Sequence, residues 1–253
     1  ANASSLAALD ITLNEIAPGG TVTVVVNAVL KSTVASGTTI DNTASITYTS
    51  LDGPNADERG GGDGEGTGLD NYADSSSPDD FVIATPTIDK LTPAHTAYAI
   101  GETVTWDILV TIPEGVTNDL VVTDNLPAGL VYTGYQVVTT AGGVLANNFA
   151  GSVTGAPTVG NPSGNARTFN FGQVTASGDN NGGNNTFLLQ VMGRVDNIMA
   201  NQGTGSPTTA TTFDNTASLA YTDGTNGSTT VTDPTAPGPI SVVEPIMSLD
   251  KTA

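Results

Sequence analysis

Short apolar–polar alternations, rather than helical periods, run the length of this chain. Thr21–Leu30, Glu102–Ile112, Asp119–Leu126, Thr186–Val195 and Asn215–Thr222 are β-branched runs, most of them with period two. That period predicts half-buried strands. Clusters of Gly, Pro, Asn and Asp separate the runs and supply the turn chemistry. No stretch shows a convincing 3.6-residue period. Many short strands joined by such turns predict an all-β chain of tandem immunoglobulin-like antiparallel β-sandwiches. Two irregular stretches interrupt the pattern. One is Val138–Gly164. The other is the Gly/Asp-rich Asp52–Asp80, which reads as a linker or a structured loop.

The pattern repeats itself. IDNTASITYTSLDG (Ile40 to Gly53) returns as FDNTASLAYTDG (Phe213 to Gly224), and PTIDKLTP from Pro86 is echoed by PIMSLDKTA from Pro245. Internal repeats set architecture before any local reading does. Residues 1–84 are expected to be the second half of one unit followed by the Gly/Asp-rich loop or linker. Their ITLNEIAPGGTVTVVVNAVLKS aligns with FNFGQVTASGDNNGGNNTFLLQVMGR. Residues 85–241 are expected to be a complete sandwich, and 242–253 the first strand of the next unit, whether that unit follows in the same chain or the strand is donated to a neighbour. This phase predicts either an excerpt of a longer polypeptide or subunits that complete one another head to tail.

Strand parity places three polar residues on apolar faces. Phe213, Asn215, Ala217, Leu219 and Tyr221 share a face, as do Ile40, Asn42, Ala44, Ile46 and Tyr48. Lys90 shares a face with Ile88, Lys251 with Leu249, and Asp124 with Leu120, Val122 and Leu126. The chain has three Lys, and two occupy this one motif. Buried charge is costly unless paired. A buried Lys is a better nucleophile because its amine is more easily neutral, and a buried Asp stays protonated. Attack on the Asn side chain, with the Asp as acid, would release ammonia and leave an isopeptide cross-link. The candidate cross-link residues are Lys90 with Asn215, and Lys251 with Asn42; Asp124 is the candidate autocatalytic acid. Asp107 is an alternative acid, although parity puts it opposite Trp106. The plainer reading of the same residues is a Lys that snorkels from a strand end, an Asn that caps a turn and an Asp that fixes one.

Composition narrows the function classes. Acidic residues outnumber basic ones 25 to 6, for a net charge of −19. Such a balance excludes nucleic acid as the expected partner and favours divalent cations. There is no Cys, hence no disulfide, and no apolar run long enough to span a membrane. Calcium is the candidate cofactor. Asp63, Glu65 and Thr67 alternate before Gly68, with Asp74 eleven residues after Asp63, a spacing that resembles an EF-hand loop. The departures are the absence of flanking helices and an Asp at the last position; the same stretch also reads as a solvated acidic linker. Asp223–Asp233 and Ser177–Asn185 are weaker calcium candidates.

GETVTWDILVTIPEGVTNDLVVTDNLPAGLVYTGY, together with the later Asn-Thr-Ala, resembles the surface-repeat domain of very large bacterial and archaeal cell-surface proteins. It is also similar to the fimbrial isopeptide-forming immunoglobulin-like domains of pilin shafts and adhesin stalks. Gly101, Thr103, Trp106, Asp124, Leu126, Pro127, Gly129, Leu130, Asn215, Thr216 and Ala217 carry the resemblance. It implies an extracellular, cell-surface structural module that partners with itself, either in a head-to-tail polymer or within one long chain. In the fimbrial relatives a first-strand Lys joins a last-strand Asn beside an acid, which by position implies Lys90, Asn215 and Asp124. No enzyme is expected: the single His, His95, has no nucleophile suggested beside it. The alternative class is an adhesin module that binds glycan or protein through Val138–Gly164, where Phe149 is the one aromatic.

Overall fold

The computed structural model describes residues 9–28, 30–31, 33–48, 72–202, 210–234 and 236–243. The chain divides into two units, Ala1–Leu30 and Lys31–Ala253. In the first, Gly20 N donates to Ala17 O at 2.7 Å to close a turn, with Gly19 at φ +76°. The expected strand at Thr21–Leu30 finds no ladder among the described residues there. Its alternation is real, but a strand needs a neighbour for its backbone, and Val24, Val25 and Val26 are all exposed.

The second unit begins as a two-stranded ribbon. Its strands are β1 (Thr39–Asn42), β2 (Ser45–Tyr48), β3 (Tyr72–Ser75) and β4 (Asp79–Val82). β1 pairs antiparallel with β4, and β2 with β3. Asp52–Asp80 is therefore partly strand, since β3 and the first residues of β4 fall within it.

The ribbon is rooted in a sandwich built from β5 (Thr87–Lys90), β6 (Ala97–Ala99), β7 (Thr103–Thr111), β8 (Gly115–Asn125), β9 (Leu130–Val138), β10 (Gly151–Val153), β11 (Thr158–Gly160), β12 (Arg167–Ala176), β13 (Thr186–Val195), β14 (Thr211–Phe213), β15 (Thr216–Thr222), β16 (Ser228–Thr232) and β17 (Ile240–Val243). One sheet runs β10-β12-β8-β15-β16, with β11 also on β12; the facing sheet runs β5-β7-β13-β9. A small third sheet, β14-β17-β6, includes one parallel pair. The described residues contain two 3-10 turns and no α-helix.

Period-two alternation fills the space between the sheets. In β7, Val104, Trp106, Ile108 and Val110 are buried while their neighbours face outward. They meet Leu120 and Val122 of β8 and Leu219 and Tyr221 of β15 in one apolar core. The Val138–Gly164 stretch is part of this architecture: β10 and β11 extend the first sheet, and Phe149 is buried edge-on to Phe187, ring centroids 5.5 Å apart.

The Pro127–Leu130 turn at the end of β8 depends on one glycine. Gly129 has φ +104°, and its carbonyl accepts from Asn201 Nδ2 at 2.7 Å and Asp196 N at 2.9 Å. A Cβ there would meet Asn201 Oδ1 and lie 2.9 Å from the Phe213 ring. Gly129→Ala is expected to destabilise the sandwich by about 1–3 kcal/mol, because backbone strain adds to the clash. Urea denaturation followed by Trp106 fluorescence would measure it, with Gly142→Ala, where a Cβ meets nothing within 4 Å, as a control for positive φ alone.

Candidate functional site

A Lys, an Asp and an Asn converge inside the sandwich. Lys90 ends β5, where alternation turns Ile88 and Lys90 inward, at 2% and 1% exposure. Asp124 is the penultimate residue of β8, in the opposite sheet, and is fully buried. Lys90 Nζ donates to Asp124 Oδ1 at 2.7 Å, so the ion pair bridges the two sheets. The Trp106 ring lies beside the amine, its centroid 5.3 Å from Nζ, a cation–π distance.

Asn215 lies between β14 and β15 and is 2% exposed. The register that sets Thr216 opposite Asn125 and Ala217 opposite Asp124 brings it to the same end of β8. Neither Oδ1 nor Nδ2 of Asn215 has a hydrogen-bond partner, and Asp124 Oδ2 has none. The carboxamide nevertheless lies near enough to Asp124 to favour its ionised form. A buried polar group left unpaired costs about 1–3 kcal/mol, so three such atoms at one spot mark a place where packing alone does not explain the residues.

Burial acts on both members of the pair in the direction that neutralises them. It lowers the Lys90 amine to about 8, against the opposing attraction of Asp124. It raises the Asp124 carboxyl above the usual carboxylate range, against the opposing effects of Lys90 and Asn215. Burial thus favours the neutral pair, an amine beside a carboxylic acid, more than water would.

Asp107 stands apart from this site: it is partly buried and accepts from Gln190 Nε2 at 2.8 Å. His95 is exposed and edge-on to Tyr98. Of the second predicted pair, Asn42 alone falls within the described residues. Asn42 is exposed on β1 opposite Asp79, whereas Lys251 lies outside the described residues. Of the calcium candidates, Asp63, Glu65 and Thr67 lie outside the described residues. Asp74 is exposed on β3 and accepts from Ser75 N at 2.8 Å. Among the described residues no three His, Cys, Asp or Glu side chains come together to hold a metal. In the weaker candidate loop, Asp223 instead caps its own turn, accepting from Thr225 N and Gly227 N. Sequence reasoning missed Asp233, whose Oδ2 accepts from Lys90 N at 2.9 Å. Nothing in the pattern after β16 distinguishes it from the other acids.

No family model and no curated protein matches the chain. Among solved structures it is similar to BcpA, the major pilin subunit of Bacillus cereus, at 16% identity and TM-score 0.39, over 79% of this chain and 69% of that one. A D312A form of BcpA matches at 15% identity and TM-score 0.40, over 81% of this chain and 65% of that one. A putative membrane anchored protein from Corynebacterium diphtheriae matches at 8% identity and TM-score 0.35, over 87% and 59%.

Breaking the buried pair on one side leaves an uncompensated charge, which typically costs about 3–5 kcal/mol. In a chain carrying Asn215→Ala, Asp124→Ala is expected to lose that amount. Lys90→Met together with Asp124→Leu, which removes both charges, is expected to lose far less. Chemical denaturation of the three variants measures the difference.

Proposed function

We propose that this chain is a structural module of an extracellular filament, surface layer or adhesin stalk, and that its sandwich is locked by an isopeptide bond between Lys90 and Asn215. The observation that carries the proposal is the fully buried Lys90–Asp124 pair, 2.7 Å apart, beside an Asn whose carboxamide has no hydrogen-bond partner. The neutral Lys90 amine attacks Cγ of Asn215. Asp124 gives its proton to the carboxamide and takes one back from the attacking nitrogen. The C–N bond of the carboxamide breaks, ammonia leaves and a secondary amide remains; atoms and charge balance without a co-reactant.

Such a bond ties β5 to the start of β15 across the core and does the work of a disulfide in a chain that has no Cys. It suits a protein whose task is spacing and stiffness rather than turnover. A glycan- or protein-binding role through Val138–Gly164 gains nothing from Phe149, which is buried. The acidic Asp52–Asp80 stretch is proposed as the calcium-responsive part of the module. Chelation is expected to lower its melting temperature, by loss of a ligand that binds only the folded form, and a calorimetric scan with and without chelator tests this.

The bond itself is read by mass. The intact chain is expected to weigh less than its sequence by one ammonia, and a tryptic digest should contain a branched peptide joining Lys90 to Asn215. Asp124→Ala and Asn215→Ala should each restore the sequence mass. Linear peptides only, from correctly folded wild-type chain, would overturn the proposal. Formation after refolding should also depend on pH. The neutral and ionic forms of the pair hold the same number of protons, so the rate is flat while one proton is shared. It falls as pH rises above about 8, where the amine's proton leaves and Asp124 has none to give. A time course of ammonia loss at several pH values measures that limb.

A further inference from the structure

β5 is the outer strand of its sheet, with β7 on one side only. Its register sets Lys90 opposite Ile108, and Leu91 N donates to Asp107 O at 2.8 Å. Antiparallel ladders alternate hydrogen-bonded and non-hydrogen-bonded residue pairs. Leu91 belongs to the first kind and Lys90 to the second, so the Lys90 N–H points away from β7, off the edge of the sheet. A donor in that position ordinarily goes to water or to another chain. Here it goes to a carboxylate: Lys90 N donates to Asp233 Oδ2 at 2.9 Å.

Asp233 directly follows β16 and is partly buried. Its own N donates to Ala217 O at 3.3 Å. Ala217 is two residues past Asn215 and stands opposite Asp124. One residue therefore holds the backbone of the nucleophile and the backbone of the strand that follows its target. The ring closes through the core, where Lys90 Nζ donates to Asp124 Oδ1 at 2.7 Å. The geometry points to Asp233 as a positioning residue for the Lys90–Asn215 bond: it fixes β5 against β15 at the edge of the sandwich and puts a second negative charge beside Lys90. This role rests on the bond proposed above and adds to it a residue outside the reacting three.

The end of β5 needs such a hold. The strand has four residues and one ladder, and Lys90 is its last residue. Attack requires the amine nitrogen to wait at roughly 3–3.5 Å from the carboxamide carbon, and a strand end that frays would not keep it there. A carboxylate that accepts from a backbone N–H makes a charge-assisted bond, roughly twice as strong as a neutral one. The charge also reaches the amine. Burial acts on it most, lowering it to about 8; Asp124 opposes that, and Asp233 opposes it less. These charges come from β8 and from the end of β16, whereas β7 presents the Trp106 ring. At position 233 an Asn would keep an acceptor and lose the charge, and an Ala would lose both.

Those two variants test the role. Chain recovered unfolded, before any bond has formed, is refolded by dilution. Loss of ammonia is then followed by intact mass, once Trp106 fluorescence shows the fold complete. Asp233→Ala is expected to slow the loss by about ten- to a hundredfold, the scale of a misplaced reacting group. Asp233→Asn is expected to retain most of the wild-type rate at neutral pH. It should also move the high-pH limb to lower pH, because the amine loses a neighbour that favours its protonated form. Asp233→Ala that reacts as fast as wild type overturns the role, and so does Asp233→Asn that is as slow as the alanine variant. A limb that Asp233→Asn leaves unmoved overturns it as well, even where Asp233→Ala does not fold. Wild-type chain that folds and never loses ammonia overturns the bond and this role with it. Failure of the Asp233 variants alone leaves the bond standing.

Discussion

A single ion pair in the wrong place organises this molecule. Removing an ammonium and a carboxylate from water costs several kcal/mol per ion even after relaxation. Yet Lys90 and Asp124 sit with side chains wholly out of solvent, among Ile88, Trp106 and Val122. A hydrophobic pair of the same volume would hold the sheets together more cheaply. What the charged pair adds is chemical: burial drives amine and acid towards their neutral forms, at contact distance, beside a carboxamide left unpartnered. The arrangement is costly as packing, and it is what the proposed bond would require.

The ladders on either side make that arrangement specific. β5 is a short strand whose last residue is the Lys, and a shift of one residue against β7 would turn it outward. β8 is held on both edges, by β12 and β15, so Asp124 cannot slide. Asn215 is positioned by the chain crossing from β14, in the third sheet, into β15. Three separate registers meet at one point, which is why a modest set of side chains achieves a defined geometry.

Most of the sandwich was legible in the sequence because its signal is local. Alternation in Thr103–Thr111 and Thr216–Thr222 predicts strands, and parity alone predicts that Lys90, Asp124 and Asn215 point inward. Alternation fails where a strand depends on a partner: Thr21–Leu30 has the pattern and no ladder. Parity also fails to reveal whether a face is covered. Ile46 and Leu219 occupy the same position in the same motif, yet only Leu219 is buried, because a second sheet lies over it. Pairs such as Asn42 with Asp79, or Lys90 N with Asp233, join residues far apart in sequence, and only the folded topology brings them together.

The root of the ribbon has a mechanical consequence. Ala35 and Val116 are parallel neighbours. Around them, Ser36 bonds to Val116 and Thr117, and Gly224 N donates to Ser36 O at 2.9 Å. Tension drawn along Val34–Thr38 loads these bonds side by side, in shear, so they must give way together rather than peel one after another. It enters the sandwich through β8, the strand that also carries Asp124. The strand that anchors the ribbon's root is thus the strand that carries the acid of the buried pair.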